Sequence, residues 1–380
     1  MEKYQVKQIF EKFNIDGDIV GIDYFSNGLI NTSCKITTLA NGKTKEYVLQ
    51  KINKNVFKNP EDVMDNISRV TTHIKKKINE KGESSARRVL KFYTSNNGKY
   101  YALDENNDYW RMYKYIDKSI APDFSDDLDL IEETGTAFGE FQELLSDFPA
   151  YKLNIIIPHF HNTEDRYRLF SEAILNDTAH RANHVQKEIA EYKALENIAT
   201  KMYKMQKQGE LKLRVTHNDT KCNNVLFDED TNKHLCVIDL DTVMPGLAGF
   251  DFGDAIRFGA STAAEDETDL SKVGIDLAKY EAFTKGFLSK TAKSLTQAEI
   301  DTLPLGAITI SVELGMRCLT DYLNGDVYFK TNYEDHNLDR ARCQLTLALD
   351  MLKHYDKMKQ VVNKYALMYQ NNIQHEDENQ

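Results

Sequence analysis

The stretch that decides the fold reads HNDTKCNNVLF at positions 217–227 and VIDLD at positions 237–241. It places Asp219, Lys221 and Asn224 in one short loop, and Asp239 at the end of the next apolar run. Transfer of a phosphoryl group from ATP needs a carboxylate that orients the acceptor hydroxyl, a nearby cation, and oxygen ligands for Mg²⁺. These four side chains supply that set, so the sequence predicts phosphoryl transfer to a hydroxyl group.

Each residue of the set has a predicted role. Asp219 is the catalytic base that orients the acceptor hydroxyl, and Lys221 offsets charge near the γ-phosphate. Asn224 and Asp239 are Mg²⁺ ligands, because this hard cation prefers amide and carboxylate oxygens. Asp241 would share a face with Asp239 in a strand. It is either a second metal ligand or a hydrogen-bond partner beside the metal.

The residues around the loop are predicted to have structural roles. We expect His217 to bond to the backbone and shape the loop without transferring a proton. The triplet Asp251-Phe252-Gly253 has the letters of a kinase metal site, but Asp239 fills that role at better spacing. Asp251 and Asp254 are therefore predicted to brace the loop and to cap a helix N-terminus, where the helix dipole favours carboxylates.

Composition excludes several function classes. The chain has 380 residues, enough for two domains, and 41% hydrophobic and 28% charged residues, which is typical of a soluble globular protein. The formal net charge of −11 argues against nucleic acid as a partner. Since ATP is also an anion, a nucleotide site in this chain must carry its own cations.

The cysteines and termini predict the cellular context. Five scattered cysteines form no CxxC pair, which fits a reducing cytoplasm better than a zinc site or a disulfide framework. The first five residues lack the apolar core of a signal peptide. No apolar run approaches membrane-spanning length, so we expect no membrane partner. The sequence does not specify the oligomeric state.

Strand signals dominate the first part of the chain and helical signals the rest. We expect strands at 18–25, 34–39, 47–52, 89–93, 99–103 and 109–116. A helix should begin near residue 60 and bury Val63, Ile67, Val70, Ile74 and Ile78. Later helices are expected at about 130–145, 164–176, 185–206, 272–288, 305–323 and 336–369.

These patterns predict an α+β fold with two lobes. An N-terminal lobe with an antiparallel sheet would span residues 1–116, and a mainly helical C-terminal lobe would span 117–370. Residues 371–380 form a polar tail. Clefts between lobes are favoured ligand sites.

Two segments of the N-terminal lobe are candidates for nucleotide binding. The turn before the second strand offers Gly28, Asn31 and Thr32 as a phosphate-covering hairpin. On the third strand, Gln50 and Lys51 point to opposite faces, so only one of them faces the phosphates. A cation is the better partner for phosphate, which favours Lys51. Its acidic partner would be one of three residues on the next helix, namely Glu61, Asp62 or Asp65.

The loop carries a family resemblance. A histidine is followed by an aspartate two residues later and by an asparagine five residues after that, and a further aspartate ends the next strand. This pattern is formed by His217, Asp219, Asn224 and Asp239. With this pattern the chain resembles the aminoglycoside phosphotransferase superfamily, whose members have a protein-kinase-like fold. Further segments resemble the N-acetylhexosamine 1-kinases within it: 28–32, 48–53, 55–57, 158–161, 217–224, 239–246 and 317–322.

The resemblance implies a specific reaction. An N-acetylhexosamine 1-kinase uses ATP and Mg²⁺ to phosphorylate the anomeric hydroxyl of N-acetylglucosamine or N-acetylgalactosamine, giving the sugar 1-phosphate. The chemistry of the residues alone stops at a kinase of a small hydroxyl compound, so choline, homoserine, methylthioribose or an aminoglycoside are alternative acceptors. An inactive nucleotide-binding regulator is disfavoured, because the base and the metal ligands are all present.

The acceptor site is expected in the helical lobe. Arg317, Asp321 and Tyr322 lie on one predicted helix, and Arg317 and Asp321 are four residues apart and share a face. They form either a surface ion pair or a sugar-binding rim, with Tyr322 stacking on the sugar and Arg317 bonding to its ring oxygens. His161, or its neighbour His159, is a further candidate for contact with a sugar hydroxyl.

Overall fold

The computed structural model describes residues 3–25, 31–123 and 125–371, and the candidate Gly28 lies outside them. The chain forms two compact units, and each is built from several segments. The first unit contains residues 1–120, 151–158 and 226–244, and the second contains 121–150, 159–225 and 245–380. Sequence reasoning placed a single division near residues 116–120. The chain instead returns to the first unit, which therefore includes Asp239 and Asp241.

The described residues form short strands and mostly long helices. The strands are β1 (Asp18–Tyr24), β2 (Thr32–Ala40), β3 (Lys43–Lys51), β4 (Ala102–Leu103), β5 (Tyr109–Lys114), β6 (Ser119–Ile120), β7 (Arg214–Thr216), β8 (Val225–Asp228), β9 (His234–Val237) and β10 (Met244–Gly246). The helices are α1 (Lys3–Phe10), α2 (Pro60–Glu80), α3 (Leu128–Leu144), α4 (Thr163–Asn176), α5 (Gln186–Ala194), α6 (Glu196–Ala199), α7 (Lys201–Lys207), α8 (Ala248–Gly259), α9 (Leu277–Thr291), α10 (Gln297–Leu323), α11 (His336–Lys353) and α12 (Tyr355–Asn371).

The first unit is built on an antiparallel sheet with the order β1-β2-β3-β5-β4. Its β2–β3 hairpin turns at Asn41 and Gly42, whose φ angles of 53° and 73° are both positive, as a tight two-residue hairpin requires. Helix α2 buries all five of its predicted apolar residues. The strands predicted at 18–25, 34–39, 47–52 and 109–116 are confirmed with small changes in their ends.

One predicted strand pair of this unit is wrong. Residues 89–93 do not pair with 99–103; instead Phe92 bridges Tyr113, and the Tyr93 amide donates to the Met112 carbonyl at 2.9 Å. Between the two segments, the Ser95 hydroxyl donates to the carbonyls of Lys99 and Tyr101 at 2.9 and 2.6 Å. This side chain closes a turn and takes carbonyls that a hairpin ladder would have used. Sequence reasoning also missed helix α1.

Helix α10 lies at the centre of the second unit and packs against α4, α8, α11 and α12. It begins eight residues before its predicted start, because Thr296 and Glu299 form a capping box and Pro304 is accommodated inside the helix. By length and composition alone it could cross a membrane, contrary to the sequence expectation. Within the protein, 89% of its most apolar window is buried, which identifies it as a core helix.

Other helices of this unit differ from their predicted bounds. The segment 185–206 is divided among α5, α6 and α7, and the segment 336–369 is divided between α11 and α12 near His354. Helix α9 begins five residues later than expected, where Asp276 accepts hydrogen bonds from the amides of Ala278 and Lys279. The five cysteines are free thiols.

Helices α3 and α9 approach each other almost to backbone contact. A Cβ atom added at Gly286 of α9 would lie 1.9 Å from the Glu132 carbonyl oxygen of α3. A Cβ added at Gly135 of α3 would lie 2.3 Å from the Phe283 carbonyl oxygen. Only glycine allows this approach, so the pairing of α3 with α9 depends on these two positions.

We expect Gly286→Ala to lower the free energy of unfolding by about 1–3 kcal/mol, the usual cost of overpacking a core. Gly259→Ala is the matched control, since a Cβ there would have nothing within 4 Å. The control should be neutral or slightly stabilising. Urea unfolding monitored by circular dichroism measures both variants, and equal midpoints for the two would contradict the close helix contact.

Candidate active site

The second unit brings together Asp219, Lys221 and Asn224. The loop that carries them follows β7 and ends in a 3₁₀ turn at Cys222–Asn224. The Asn224 amide donates to the carbonyl and the carboxylate of Asp219 at 2.8 and 3.1 Å, and the Lys221 ammonium lies 3.2 Å from the same carboxylate. The side chains of Asp219 and Lys221 are each 29% exposed, so a small molecule can reach them.

Two acids of α8 hold this loop in place, as the sequence predicted. The Asp251 carboxylate accepts hydrogen bonds from the His217 and Asn218 amides, both at 2.8 Å, and Asp254 accepts one from the Thr220 amide at 3.0 Å. Burial raises the pKa of Asp251 even though these amides stabilise its charged form. Neither acid is the predicted cap, since the N-cap of α8 is Leu247, but Asp251 lies in the first turn of the helix, where the helix dipole favours a carboxylate.

His217 anchors the start of the loop. Its ring is fully buried and contacts the rings of Phe138 and Phe141 with centroid distances of 5.6 and 5.8 Å. Its Nδ1 accepts a hydrogen bond from the Asp219 amide at 3.3 Å. This is the predicted contact with the backbone.

The environment of Lys221 keeps it charged. Burial lowers its pKa, but the negative charges of Asp219, Asp254 and Glu265 outweigh burial, and the net pKa is raised. Arg257 neutralises two of these acids, with Asp254 at 2.9 Å and Glu265 in direct ion pairing. Lys221 therefore remains a cation beside Asp219.

In the first unit, the strand-end acids lie at a tight turn. Asp239 has a left-handed backbone with φ of 56° and precedes a 3₁₀ turn at Leu240–Thr242. A non-glycine residue in this region is uncommon and marks local strain, which often occurs at functional sites. Asp241 is buried, and both of its oxygens are engaged: Asn31 donates to one at 2.6 Å, and Arg111 pairs with the other.

Sequence reasoning missed Arg111. It lies opposite Gln50 across β3 and β5, and its guanidinium donates twice to the Gln50 side-chain oxygen at 2.8 and 2.5 Å. It is 3% exposed. Burial lowers its pKa, but the charge and hydrogen bond of Asp241 outweigh burial, so the pKa is raised. The sequence did contain a signal for this residue: an arginine flanked by two apolar residues, Trp110 and Met112, within a predicted strand.

Lys51 points away from this network. Its ammonium pairs with Asp108 and lies 5.8 Å from the centroid of the Trp110 ring. The expected partner on α2 is therefore not found: Glu61 lies near Lys99, Asp62 accepts from Asn59, and Asp65 pairs with Arg69. Asp108 takes that place; it immediately precedes β5, in which Trp110 is the register partner of Lys51. Thr32 is paired in register with Lys51.

The donor types of the predicted metal set fit Mg²⁺. The NH₂ group of Asn224 is committed to Asp219, which leaves its amide oxygen for a cation. Asp239 adds a carboxylate at the strand end. The described residues contain no group of three or more His, Cys, Asp or Glu side chains that could hold a metal ion. The predicted ligands are one amide and one or two carboxylates. A magnesium ion that keeps water and phosphate ligands needs no more from the protein.

A cavity of about 510 Å³ in the second unit adjoins the catalytic loop. Phe258 and Arg257 line it, and the Phe258 ring centroid is 6.0 Å from the Lys221 ammonium. Gln344 also lines it; this side chain is 2% exposed, and its oxygen has no hydrogen-bond partner among the described residues. A buried acceptor without a donor is costly, so a ligand donor would stabilise it.

The acids that line this cavity are already paired. Glu265 pairs with Arg257, Asp266 lies 3.0 Å from the His336 ring nitrogen, and Asp123 accepts from the Asn223 amide at 3.0 Å. Arg340 also lines the cavity and forms no ion pair with a described residue; it donates to the Lys330 carbonyl at 3.1 Å. The Gln344 oxygen therefore lacks a donor and Arg340 lacks a carboxylate partner among the described residues, while the Asp123 carboxylate meets only a neutral amide.

Two of the predicted acceptor residues make contacts within the fold. Asp321 is 4% exposed and accepts hydrogen bonds from four donors, which are the amides of Val327, Tyr328 and Phe329 and the side chain of Asn337. The Tyr322 ring lies 4.4 Å from the Arg181 guanidinium, and its hydroxyl is 3.3 Å from Asp335. Their roles in sugar binding remain predictions.

The other two predicted acceptor residues, Arg317 and His161, lie in a separate cluster around Phe160. Arg317 is within 6 Å of the ring centroids of Phe160, Tyr328 and Phe329. The His161 ring is 3.1 Å from a carboxylate oxygen of Glu313 and 4.4 Å from the Phe160 ring centroid. Arg317 forms no ion pair with Asp321 among the described residues. His159 has a left-handed backbone with φ of 57°.

Comparisons with known proteins identify a family and a fold. Residues 22–283 match the phosphotransferase enzyme family. An aminopropanol kinase associated with a microcompartment is similar in structure, with a TM-score of 0.63 at 14% identity, covering 94% of this chain and 99% of that one. A choline kinase from Cryptosporidium parvum has a TM-score of 0.56 at 14% identity, covering 93% and 95% of the two chains.

A further similar structure carries ligands. A spectinomycin phosphotransferase, solved with ADP and spectinomycin, has a TM-score of 0.53 at 12% identity and covers 88% of this chain and 94% of that one. At such low identity the likeness is one of fold. The predicted α+β, protein-kinase-like fold class is confirmed.

We expect Arg111→Met to lower the free energy of unfolding by about 3–5 kcal/mol, because it leaves the buried Asp241 carboxylate without its cation. Adding Asp241→Asn to this variant removes the unpaired charge and should recover part of the loss. Urea unfolding of both single variants and the double variant measures the coupling between the two positions. Simple additivity of the two effects would contradict a direct ion pair.

Proposed function

The chain belongs to the phosphotransferase enzyme family, and we propose that it is a kinase that transfers a phosphoryl group from ATP to a hydroxyl of a small molecule. One observation carries this proposal: a partly exposed Asp219 lies within 3.2 Å of both a cationic lysine and an asparagine amide. This is the arrangement that orients a hydroxyl for in-line phosphoryl transfer.

Each residue of the site has a separate role in this proposal. Asp219 holds the acceptor hydroxyl and accepts its proton late in the transfer. Lys221 offsets charge that develops on the transferring group. Asn224 and Asp239, with Asp241 as a further candidate, would hold Mg²⁺, which neutralises phosphate charge when bound. The braces from Asp251 and Asp254 keep Asp219 in position without the cost of ordering the loop in each turnover.

The first unit would bind the nucleotide. Gln50, Asn31 and Asp241 share one hydrogen-bond network around Arg111. We assign Arg111 a positioning role: it is too deeply buried to replace a mobile lysine, and it fixes Asp241 two residues after the metal ligand Asp239. Its two hydrogen bonds also fix Gln50, which lies on the face opposite to Lys51.

The acceptor is, in this proposal, an N-acetylhexosamine that is phosphorylated at its anomeric hydroxyl. The cavity beside the loop supports an acceptor that donates hydrogen bonds, because the buried Gln344 oxygen lacks a donor and Arg340 forms no ion pair with a described residue. A sugar hydroxyl or amide N–H can donate to Gln344, whereas a quaternary or polyamine acceptor would meet an unpaired cation. The sequence segments that resemble N-acetylhexosamine 1-kinases point to the same class.

We expect Asp219→Asn to reduce kcat by at least about 100-fold, the low end for loss of a positioned catalytic base. Binding of Mg·ADP should change little, since the asparagine keeps the loop contacts from Asn224 and the backbone. A coupled ADP-release assay and isothermal titration calorimetry measure the two effects. Retention of wild-type turnover would disprove the role of Asp219.

A panel of acceptors tests the sugar assignment. N-acetylglucosamine or N-acetylgalactosamine should give a higher kcat/KM than choline, ethanolamine, homoserine, methylthioribose or spectinomycin. The opposite order, with a cationic acceptor preferred, would replace the sugar by an amino alcohol or an aminoglycoside and keep the kinase assignment.

Gln344→Leu tests the cavity with the preferred acceptor. We expect KM for the acceptor to rise by about 10-fold or more, the cost of losing one good hydrogen bond to a polar substrate, with KM for ATP unchanged. Gln297→Leu is the control, because Gln297 is an exposed glutamine at the start of α10. An acceptor KM that is unchanged in Gln344→Leu would place the acceptor elsewhere, with the His161–Arg317 cluster as the next candidate.

A further inference from the structure

The first unit contains a second cavity, of about 480 Å³, that the proposed reaction does not use. Helix α2 lines one side of it, and the segments 84–92 and 114–116 line the other. The charged residues that line this cavity are all basic: Lys75, Arg87, Lys91 and Lys114. In a chain with 59 acidic and 48 basic residues, a cavity with this lining concentrates positive potential against the overall charge.

Three of these cations lack a carboxylate partner. Lys75, Lys91 and Lys114 form no ion pair with a described residue, and the Lys91 ammonium lies 5.2 Å from the centroid of the Tyr93 ring. Many other lysines of the described chain are ion-paired, including Lys76, which follows Lys75 and lies 3.6 Å from Glu80. Three unpaired ammonium groups around one concave space form a binding environment for a multiply charged anion.

Arg87 is the fourth basic residue that lines this cavity. Its backbone is left-handed, with φ of 64°, which is strained for arginine. Its guanidinium is fixed by Asp228 at 3.0 Å and by the carbonyls of Asp117 and Lys118, both at 2.9 Å. The remaining nitrogen, Nε, is buried and has no hydrogen-bond partner among the described residues. The three lysines around this fixed arginine have no carboxylate among the described residues to hold them.

The other lining residues suit a ligand larger than a single phosphate. Hydroxyl groups of Ser68, Thr72 and Ser85 can donate to phosphate oxygens, and the aromatic rings of Phe92 and Tyr115 supply a face for a sugar or a planar ring. The volume of the cavity is in the range of small-molecule sites. We propose that this cavity binds a phosphorylated small molecule, with Lys75, Lys91 and Lys114 contacting its phosphate oxygens.

The cavity is distinct from the Arg111–Asp241 network but adjoins it. Met64 lines the cavity, and its sulfur lies 3.9 Å from the Arg111 guanidinium. A test must therefore keep phosphate probes away from the nucleotide site. Mg·ADP at about ten times its measured dissociation constant fills that site to about 90%, and non-nucleotide probes are then titrated into the full-length protein.

Two probes separate charge from shape. Pyrophosphate offers phosphate charge alone, and ribose 5-phosphate offers one phosphate with a sugar. Calorimetry in the presence of Mg·ADP measures their binding, and mass spectrometry of lysine acetylation reports which lysines a bound probe protects. We expect at least one probe to bind with a dissociation constant below about 1 mM and to protect Lys75, Lys91 and Lys114 from acetylation.

The variant Lys75→Gln/Lys91→Gln should weaken that binding by about tenfold or more, whereas Lys76→Gln should leave it unchanged. Lys76 is a matched control because its side chain is 71% exposed on the same helix and does not line the cavity. All three substituted lysines are exposed, and a thermal melt confirms that the two variants are folded. The proposal is overturned if neither probe binds below about 1 mM, if the double variant binds normally, or if Lys76→Gln weakens binding equally.

Discussion

The carboxylate of Asp251 is the constraint on which the catalytic loop depends. It accepts hydrogen bonds from two consecutive loop amides and from the Gln142 side chain, and it is 1% exposed. A buried carboxylate is stable only when such donors surround it. The loop must therefore keep its backbone turned toward α8, and this fixes the direction in which the next side chain, Asp219, leaves the chain.

A second buried charge organises the first unit in the same way. Arg111 must be paired because it is almost completely buried, and its partners are the Asp241 carboxylate and the Gln50 amide. Asp241 in turn holds Asn31, whose side-chain oxygen accepts from the Asn53 amide at 2.9 Å. One guanidinium thus connects two strands of the sheet, the segment before β2 and the strand-end turn. Rigid polar networks of this kind hold functional groups in a single arrangement.

Positive charge is concentrated at particular places in a chain whose net charge is negative. The protein is acidic, yet the predicted phosphate chemistry and the basic cavity both depend on cations. In the catalytic loop, the cation Lys221 is kept charged by three acids that surround it. In the basic cavity, no lining acid opposes the lysines. Lysines thus occur in two different electrostatic environments, one with neighbouring acids and one without lining acids.

Local sequence patterns predicted the candidate catalytic residues and most of the elements that carry them. The spacing of Asp219, Lys221 and Asn224 is local, so a short loop brings them together whatever surrounds it. The apolar period of α2 and the Asn41–Gly42 turn are also local signals, and both were predicted correctly. The cation that contacts Gln50 could not be predicted in this way, because strand pairing places Arg111 there, 61 residues away along the chain. The tertiary structure likewise assigned Asp321 to four hydrogen bonds inside the fold and left Gln344 with an unused oxygen. These outcomes depend on contacts between distant segments, and no pattern within a single segment encodes them.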